Sequence, residues 1–475
     1  MINKSAFGVS LLLCAVISVL LSCSLTPEAP DTGMLPDVND SVLFAVKQGG
    51  KWGFINRQGE IIVKPRFDLV GHFTEEMISV KYGGEWTEKS EYGVPDYDYG
   101  EVDVTWYEHE GGKWGFMNNR GEIVVPPCYD GVGNFSEGLA WVNRGGKKNS
   151  DYLSEFTGGK FGFIDRHGRE VIEVNFDNAA DFSDGLAAVK LGDKWGFIDS
   201  NGTMVIKPRF VSKSFFTEGS APFKITREDS NSYDNTKFGF IDKKGDVIIE
   251  PKFYHVENFH RGLALVSIKK RDSWAVDAMW GVIDPSGNFV IPPEYNKIFV
   301  LTEDRFITVK NNMYTVVDHK GKELYTVRDQ KGRELQQNDN IKGKYYELDD
   351  VSGMSEGLAV ISFSTEHHEN GKCGFIDSTG KAIIDPQFDM AYQFTEGRAA
   401  FNIYKEIRKK NSITTLSKWG FIDHLGNRVI EAQFDDVEPF SNGLAKVMIG
   451  DTFPPDKSAV GYIDRDGNYV WEPTK

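Results

Sequence analysis

Apolar positions along the chain fall into short alternating stretches that predict β-strands. In residues 52–55, Trp-Gly-Phe-Ile, the two aromatic side chains lie two positions apart, which is the period of a strand. Most copies are followed by Asp-x-x-Gly. This pattern predicts a turn, because Asp can cap its own backbone and Gly can take a positive φ. The β-branched run 247–249 predicts a second strand. Pro251 is expected to end that strand, since proline cannot donate a ladder hydrogen bond.

A third apolar stretch, such as Gly-Leu-Ala-Leu-Val at 262–266, completes the unit. We therefore predict an all-β fold, a tandem array of about ten three-stranded antiparallel β-repeats with little helix. One such piece buries too little to be stable alone, so neighbours must stack. We expect an open or superhelical stack, with a closed propeller-like arrangement as the alternative. Copies start at Trp52, Trp114, Phe161, Trp195, Phe238, Trp280, Tyr314, Cys373, Trp419 and Val460.

These motifs resemble the WG repeat, a family of bacterial β-repeats, over roughly residues 43–475. Because that family is defined by its repeat, the resemblance implies an architecture and no reaction. It divides the chain into residues 43–324, with repeats 1–7 of which the seventh is degenerate, and residues 347–475, with the remaining repeats and a C-terminal half-repeat. The polar residues 325–346 between them are either a hinge or a loop insertion.

Spacing separates a constant part of the repeat from a variable part. The leading aromatic and the residue that ends the third strand are 28 positions apart in most copies, as in Trp52 to Val80. The link from there to the next aromatic ranges from a few residues to the long insert Tyr82–Gly112. Variable loops on a constant scaffold are where binding usually occurs. We expect the leading tryptophans to be largely buried at the contacts between units and the links to carry the function.

The long insert is the candidate ligand-binding loop. It contains nine acidic residues against one Lys, and its aromatic residues carry polar groups of the kind enriched where proteins recognise partners or sugars. An elaborated hairpin without a ligand is the structural alternative, because residues 102–106 alternate like a strand. The candidate residues are Tyr82, Trp86, Tyr92, Tyr97, Tyr99, Trp106 and Tyr107.

The N-terminus predicts export and lipid attachment. Lys4 precedes the apolar stretch Ala6–Leu21, which is short for a membrane span and typical of a signal peptide. The stretch ends in Leu-Leu-Ser-Cys, which resembles the lipobox of bacterial lipoproteins and implies lipidation (palmitate) at Cys23. Residues 1–22 would be the signal peptide and 23–42 a flexible tether. Ser24 favours the outer membrane of the cell envelope.

Composition and motifs argue against several functional classes. A net charge of −16 disfavours nucleic acid, and four cysteines do not make a disulfide framework. The Gly-x-Ser-x-Gly match at 353–357 is a copy of the repeat's Ser/Thr-Glu-Gly turn rather than a nucleophile elbow. The Asp-x-x-Gly carboxylates are interpreted as turn caps rather than calcium ligands, and His367-His368 as solvated. Cys128 and Cys373 are expected in the core.

We therefore expect no catalytic residues, no metal and no cofactor. The predicted function is a lipid-anchored envelope scaffold that attaches to the membrane through its N-terminal lipid and binds a protein or glycan through its variable loops. An envelope hydrolase, with carboxylates gathered from several repeats, is one alternative. A purely structural envelope protein is the other.

Overall fold

The computed structural model describes residues 42–96, 100–148, 156–226, 236–269, 278–311, 313–335, 339–341, 344–365, 372–409, 412–450 and 458–474. Every regular element in these ranges is a β-strand, which confirms the predicted all-β class. Within the same ranges no helix is long and apolar enough to cross a membrane. The predicted signal peptide, Cys23 and His367-His368 lie outside the described residues.

The chain forms two compact units, of which the first ends at Asp181. Three sheets of this unit have the strand orders β1-β2-β3, β4-β5-β8-β9 and β10-β11-β12-β13, and β6 and β7 pair as a separate hairpin. The strands are β1 (Phe44–Gln48), β2 (Lys51–Ile55), β3 (Ile61–Phe67), β4 (Leu69–Thr74), β5 (Met77–Tyr82), β6 (Glu85–Asp96), β7 (Gly100–Glu110), β8 (Lys113–Asn118), β9 (Ile123–Tyr129), β10 (Gly131–Val132), β11 (Leu139–Lys148), β12 (Phe156–Asp165), β13 (Glu170–Phe176) and β14 (Asn178–Ala179).

The second unit contains β15 to β41, grouped in chain order into small antiparallel sheets. The first strands are β15 (Ala187–Leu191), β16 (Lys194–Ile198), β17 (Met204–Phe210), then β18 (Ser220–Thr226), β19 (Thr236–Asp242), β20 (Val247–Phe253), then β21 (His255–Val256), β22 (Ala264–Lys269), β23 (Ala278–Ile283), β24 (Phe289–Tyr295). The next are β25 (Lys297–Thr302), β26 (Arg305–Lys310), β27 (Met313–Asp318), β28 (Glu323–Thr326), then β29 (Asp339–Ile341), β30 (Lys344–Val351), β31 (Ala359–Thr365), β32 (Lys372–Ile376), β33 (Ala382–Phe388). The last are β34 (Met390–Ala391), β35 (Ala399–Lys409), β36 (Ser412–Ile422), β37 (Arg428–Phe434), then β38 (Asp436–Val437), β39 (Ala445–Ile449), β40 (Ala459–Ile463), β41 (Tyr469–Thr474).

The sheets do not coincide with the sequence repeats, and the predicted three-stranded repeat is wrong as a description of a sheet. In the sheet β10-β11-β12-β13, β11 is the third strand of the Trp114 copy, whereas β12 and β13 belong to the Phe161 copy. Most sheets also include a fourth strand, here the two-residue β10. The third strand pairs with the next leading strand whether the link between them is the two residues Gly192-Asp193 or the long insert between β5 and β8, because two consecutive strands joined as a hairpin lie antiparallel and side by side.

Successive sheets within a unit share apolar layers. One core joins Phe54 and Phe67 of the first sheet to Ile78 and Val80 of the second. Another joins Phe421 and Phe434 to Val447 and Ile463 of the last sheet. Such face-to-face packing of four-stranded sheets is typical of propeller blades. Within each unit it favours the propeller-like alternative over a stack of three-stranded pieces.

The second aromatic of the motif, rather than the first, is the constant core residue. Phe54, Phe116, Phe197 and Phe421 are fully buried or nearly so. Of the leading tryptophans only Trp195 and Trp419 are buried. The remaining three, Trp52, Trp114 and Trp280, are of intermediate exposure, and Trp52 and Trp280 pack against apolar cores, so the prediction that the leading tryptophans are largely buried is confirmed.

A bulge in the second strand explains the Gly and the Pro of the motif. Trp195 pairs with Phe210 but Phe197 pairs with Ile206, so an advance of two residues along β16 corresponds to an advance of four along β17. The bulged backbone presses against Gly196, leaving no room for a side chain. Pro251 lies in the equivalent bulge of β20, and the strand continues to Phe253. The prediction that Pro251 ends the strand is therefore wrong, since a bulge also tolerates a residue without an N–H group.

The Asp-x-x-Gly turns have the predicted chemistry. Asp284 Oδ1 accepts hydrogen bonds from the backbone N–H groups of Ser286 and Asn288, both at 2.9 Å. Gly287 takes a φ of 79°. The same pattern of two backbone donors recurs at Asp165, Asp199, Asp242, Asp318, Asp377, Asp423 and Asp464. These carboxylates therefore cap turns.

Candidate functional site

The variable links all leave their sheets at one end, which we call the hairpin edge. In β15-β16-β17, the link Gly192-Asp193 closes the β15–β16 hairpin, because Leu191 pairs with Lys194. The Asp199–Thr203 turn connects β16 to β17 at the opposite end, which we call the turn edge. Links β11–β12 and β35–β36 also lie at the hairpin edge, where their strands extend past the sheet as longer hairpins.

The long insert is an extended hairpin arm formed by β6 and β7, as its strand-like alternation predicted. Glu85 pairs with Glu110 at its base and Asp96 pairs with Gly100 towards its tip. Tyr92 is on β6, and Trp106 and Tyr107 are on β7, although their side chains lie outside the described residues. Tyr97 and Tyr99 also lie outside them. Of the seven candidate residues, the structure thus describes the side chains of Tyr82 and Trp86, both half-buried.

A neck of four glycines joins this arm to its sheet. Gly83, Gly84, Gly111 and Gly112 have φ values of 78°, 93°, 71° and 71°. A Cβ on Gly112 would lie 2.6 Å from the Tyr82 carbonyl oxygen. The two strands therefore change direction at the neck through conformations and close approaches that favour glycine.

A cluster of polar and aromatic side chains fixes the base of the arm. The buried Lys81 ammonium lies 3.0 Å from His109 Nδ1 and donates a 3.1 Å hydrogen bond to the His109 carbonyl. It also lies 5.6 Å from the Trp114 ring centroid. Trp86 meets the His109 ring edge-on at 5.2 Å. Burial, followed by the charge of Lys81, lowers the pKa of His109, so the neutral ring can accept the Lys81 hydrogen bond.

A Lys–Asp bracket holds the hairpin edge in several repeats. The Lys before the leading aromatic donates to an Asp that follows the second strand, at 2.5 Å for Lys113 and Asp130. The other oxygen of Asp130 accepts the Gly145 N–H at 2.8 Å, at the start of the variable link. The corresponding pairs are Lys51–Asp68, Lys160–Asp177, Lys372–Asp389 and Lys418–Asp435. The recurring Phe-Asp was visible in the sequence, but its role required the fold.

Carboxylate clasps join neighbouring sheets at the turn edge. Glu396, in the tight turn of one sheet, accepts the Gly443 N–H of the next at 2.8 Å and the Arg465 guanidinium at 2.9 Å. The turn is a two-residue hairpin with Glu396 at φ 52°, so its carboxylate is presented sideways. Equivalent clasps are Glu75 with Gly138 and Arg166, Asp184 with Gly219 and Lys243, Glu356 with Gly397 and His424, and Glu218 with Gly262.

These clasps predict a loss of stability in acid. Burial alone would raise the pKa of Glu396, but the hydrogen bonds from Arg465 and Gly443 outweigh it and hold the pKa below 4.5. The folded carboxyl is therefore the stronger acid. Its contribution is complete above the unfolded pKa and is lost as the pH falls through the folded pKa. We expect Glu396→Gln to cost about 1 kcal/mol at neutral pH and to flatten the decline below about pH 4.5.

Thermal midpoints of the wild type and of Glu396→Gln across that pH range would test this expectation. Glu431→Gln is the matched control, because Glu431 is exposed and faces Arg428 at 3.8 Å. Parallel pH profiles for the wild type and Glu396→Gln would contradict a clasp of this kind.

The residues considered for catalysis or metal binding have structural partners. Ser355 Oγ donates to the Phe394 carbonyl at 2.6 Å, and Ser183 makes the same bond to Phe216, so Ser355 is a repeat residue. Among the described residues, no group of three His, Cys, Asp or Glu could hold a metal ion. Cys373 is in the core as expected, whereas Cys128 is only partly buried.

Comparison with known proteins identifies the repeat. The model of the WG containing repeat matches residues 52–86, 114–147, 161–195, 195–226, 238–271, 280–314, 374–405 and 419–453. A search of the curated proteins finds no match.

Several solved structures are similar to this chain over much of its length. One is a eukaryotic initiation factor, with 10% identity, coverage of 90% of this chain and 94% of that chain, and a TM-score of 0.43. Apo AztD from Citrobacter koseri has 11% identity, coverage of 81% and 92%, and a TM-score of 0.30. The acylaminoacyl peptidase of Pyrococcus horikoshii has 12% identity, coverage of 73% of this chain and 53% of that chain, and a TM-score of 0.29. Similarities this distant carry no argument about function.

Proposed function

Since this chain belongs to the family of the WG containing repeat, we propose that it is a lipid-anchored scaffold of the bacterial cell envelope that binds a protein or glycan partner through its hairpin edge. The observation that carries this proposal is the separation of the two edges. The turn edge repeats the same clasps and capped turns from sheet to sheet, whereas the links at the hairpin edge range from two residues to the long arm. Loops that vary in length on a constant scaffold can change their ligand without loss of fold.

The arm is the element of the hairpin edge that supports binding most directly. It extends for about ten residue pairs from a glycine neck, and its base is held by Lys81, His109 and Trp86. The fixed base holds the paired strands β6 and β7 in a defined position on their sheet. Tyrosine and tryptophan contribute large contact areas with few rotatable bonds, which limits the entropy lost on binding.

Excising the arm should abolish partner capture and leave the scaffold folded. Removal of residues 84–111 joins Gly83 to Gly112, while Tyr82 and Lys113 keep their pairing. The new turn would repeat the Gly49-Gly50 turn, which connects the paired residues Gln48 and Lys51. We expect the thermal midpoint to stay nearly unchanged, and cross-linking in intact envelopes, followed by mass spectrometry, to recover no partner.

Glu218→Gln is the control for that experiment, because it alters a clasp at the turn edge and should leave capture intact. Equal capture by the full and the excised chains would refute the arm as the binding element. Loss of capture in both variants would assign the effect to the scaffold.

The anchor is tested separately at Cys23. Cys23→Ala should release the protein from the membrane fraction, since no lipid could be attached. Cys14→Ala, within the same apolar stretch, is the matched control and should leave the protein in that fraction. Unchanged retention of the Cys23→Ala protein, with an unchanged mass of its N-terminal peptide, would exclude lipidation at this position.

A further inference from the structure

A cavity of about 490 Å³ lies between two successive sheets of the second unit. One wall is a face of the sheet β29-β30-β31-β32-β33 and carries Asp350, Ser352, Ser362 and Cys373. Asp350 and Cys373 both pair with Ser362, so the three side chains share that face. Ser352 follows Asp350 by two positions and therefore points the same way. The opposite wall is formed by residues 389–393, around β34 of the next sheet.

In two other sheets the corresponding face is covered by stacked aromatic rings. Trp419 on β36 reaches across β35 and stacks on Tyr392, with ring centroids 4.8 Å apart and an interplanar angle of 13°. Trp280 on β23 reaches across β22 and stacks on His255 at 5.9 Å and 12°. The leading tryptophan of a copy thus lies flat over the third strand and meets a ring from the strand beyond.

At the cavity the rings of this pattern are replaced by small or acidic side chains. Cys373 takes the leading position, which is aromatic in every other full copy. Ser352 takes the position of Tyr392, since each donates its backbone N–H to the carbonyl two residues before the partner of the leading residue. Asp350 takes the position of His255, since each pairs with that partner itself. The space that rings fill in the other two sheets is therefore open.

The charged groups at the cavity favour a cation over an anion. Three carboxylates line it, and its described lining residues include no lysine or arginine. Lys372 donates to Asp389 at 2.6 Å, and Lys297 lies 3.9 Å from Asp349. Asp350 is exposed, and its Oδ1 accepts the N–H of the following residue at 2.8 Å. A carboxylate in the place of a stacked ring attracts an N–H donor or a cation and repels an anion.

We propose that this cavity binds a small aromatic amine, a flat ring that carries a protonated amino group. The ring lies over Ser362, in the place that the leading indole takes in the other sheets, and the ammonium group donates to Asp350. Cys373 and Ser352 leave the space for the ring. Burial raises the pKa of the Cys373 thiol, so this group stays protonated and adds no charge. The site does not depend on the function proposed for the hairpin edge.

Saturation-transfer NMR on the detergent-solubilised full chain tests the proposal, with tryptamine as the probe and indole-3-acetate as its anionic counterpart. We expect tryptamine to bind with a dissociation constant of about 1 mM or below, and indole-3-acetate at least about fivefold more weakly. Cys373→Trp restores the leading tryptophan and should abolish binding, which makes this variant the blank for partition into detergent. Cys373→Ala keeps the space open and should keep the binding.

The carboxylate is tested by a matched pair of variants. Asp350→Asn should weaken tryptamine about five- to tenfold. Asp436→Asn should leave it nearly unchanged, because Asp436 occupies the same position in the last sheet, accepts the same bond from the following residue and does not line the cavity. If Cys373→Trp does not fold, this pair still decides.

Four results would each overturn the proposal. They are equal binding of the two indole compounds, undiminished binding by folded Cys373→Trp, equal effects of the two aspartate variants, and no binding of tryptamine up to about 10 mM. Loss of binding in Cys373→Ala would also overturn it, since the thiol rather than the open space would then hold the ligand.

Discussion

Phe216→Ala is expected to lower the free energy of unfolding of the second unit by about 3–5 kcal/mol. Phe216 is fully buried and packs edge-on against Phe197, with ring centroids 4.9 Å apart. Truncation removes that contact and leaves a cavity between two sheets that backbone pairing on both sides keeps from collapsing. Thermal or denaturant midpoints, combined with hydrogen exchange of β16 and β17, would measure the loss.

The adjacent residue provides a matched control for this substitution. Phe215 is 53% exposed, so Phe215→Ala should change stability by no more than about 0.5 kcal/mol. The two variants remove the same atoms one position apart in sequence. Similar losses for both would mean that the aromatic layer between these sheets is not the main source of stability.

Gly196→Ala is expected to cost about 3 kcal/mol or more, although alanine adds a single methyl group. Its Cβ would lie 2.5 Å from the Ile206 carbonyl oxygen and 2.7 Å from the Pro208 nitrogen. Both atoms are backbone and belong to the bulge of β17, so no side chain can rotate away. The bulge must open, and the pairing of Trp195 with Phe210 is lost with it.

Gly353→Ala is the control for the backbone collision. A Cβ there meets nothing within 4 Å, and we expect a neutral or slightly stabilising change, because alanine restricts the unfolded chain. If Gly196→Ala proved as mild as Gly353→Ala, the glycine of the motif would reflect something other than the close approach of the bulge.

Much of the fold could be predicted from residues that act locally. The alternation at Trp52–Ile55, the capped Asp-x-x-Gly turns and the tight Gly192-Asp193 link depend on neighbours in sequence, and all appear as expected. Which strands share a sheet depends on which strands pair across a link. The prediction failed here because it placed the boundary of each sheet at the boundary of the repeat. The prediction that Pro251 ends its strand failed for the same reason, because a bulge depends on the register with the partner strand.

The candidate site was only partly visible in the sequence. Unusual length and aromatic content identified the arm, since both are properties of one continuous segment. The base of the arm was missed, because Lys81, His109 and Trp114 meet only through strand pairing.

The offset between sheets and repeats has a consequence for how such a gene can change in length. Each repeat contributes its first and second strands to one sheet and its third strand to the next, as β8 and β9 join β5 whereas β11 joins β12. Unequal recombination between two copies therefore inserts or removes strands of two adjacent sheets at once, wherever the crossover falls. Each inserted copy contributes strands to two sheets. The number of copies can therefore change while every internal sheet still combines strands from two consecutive repeats.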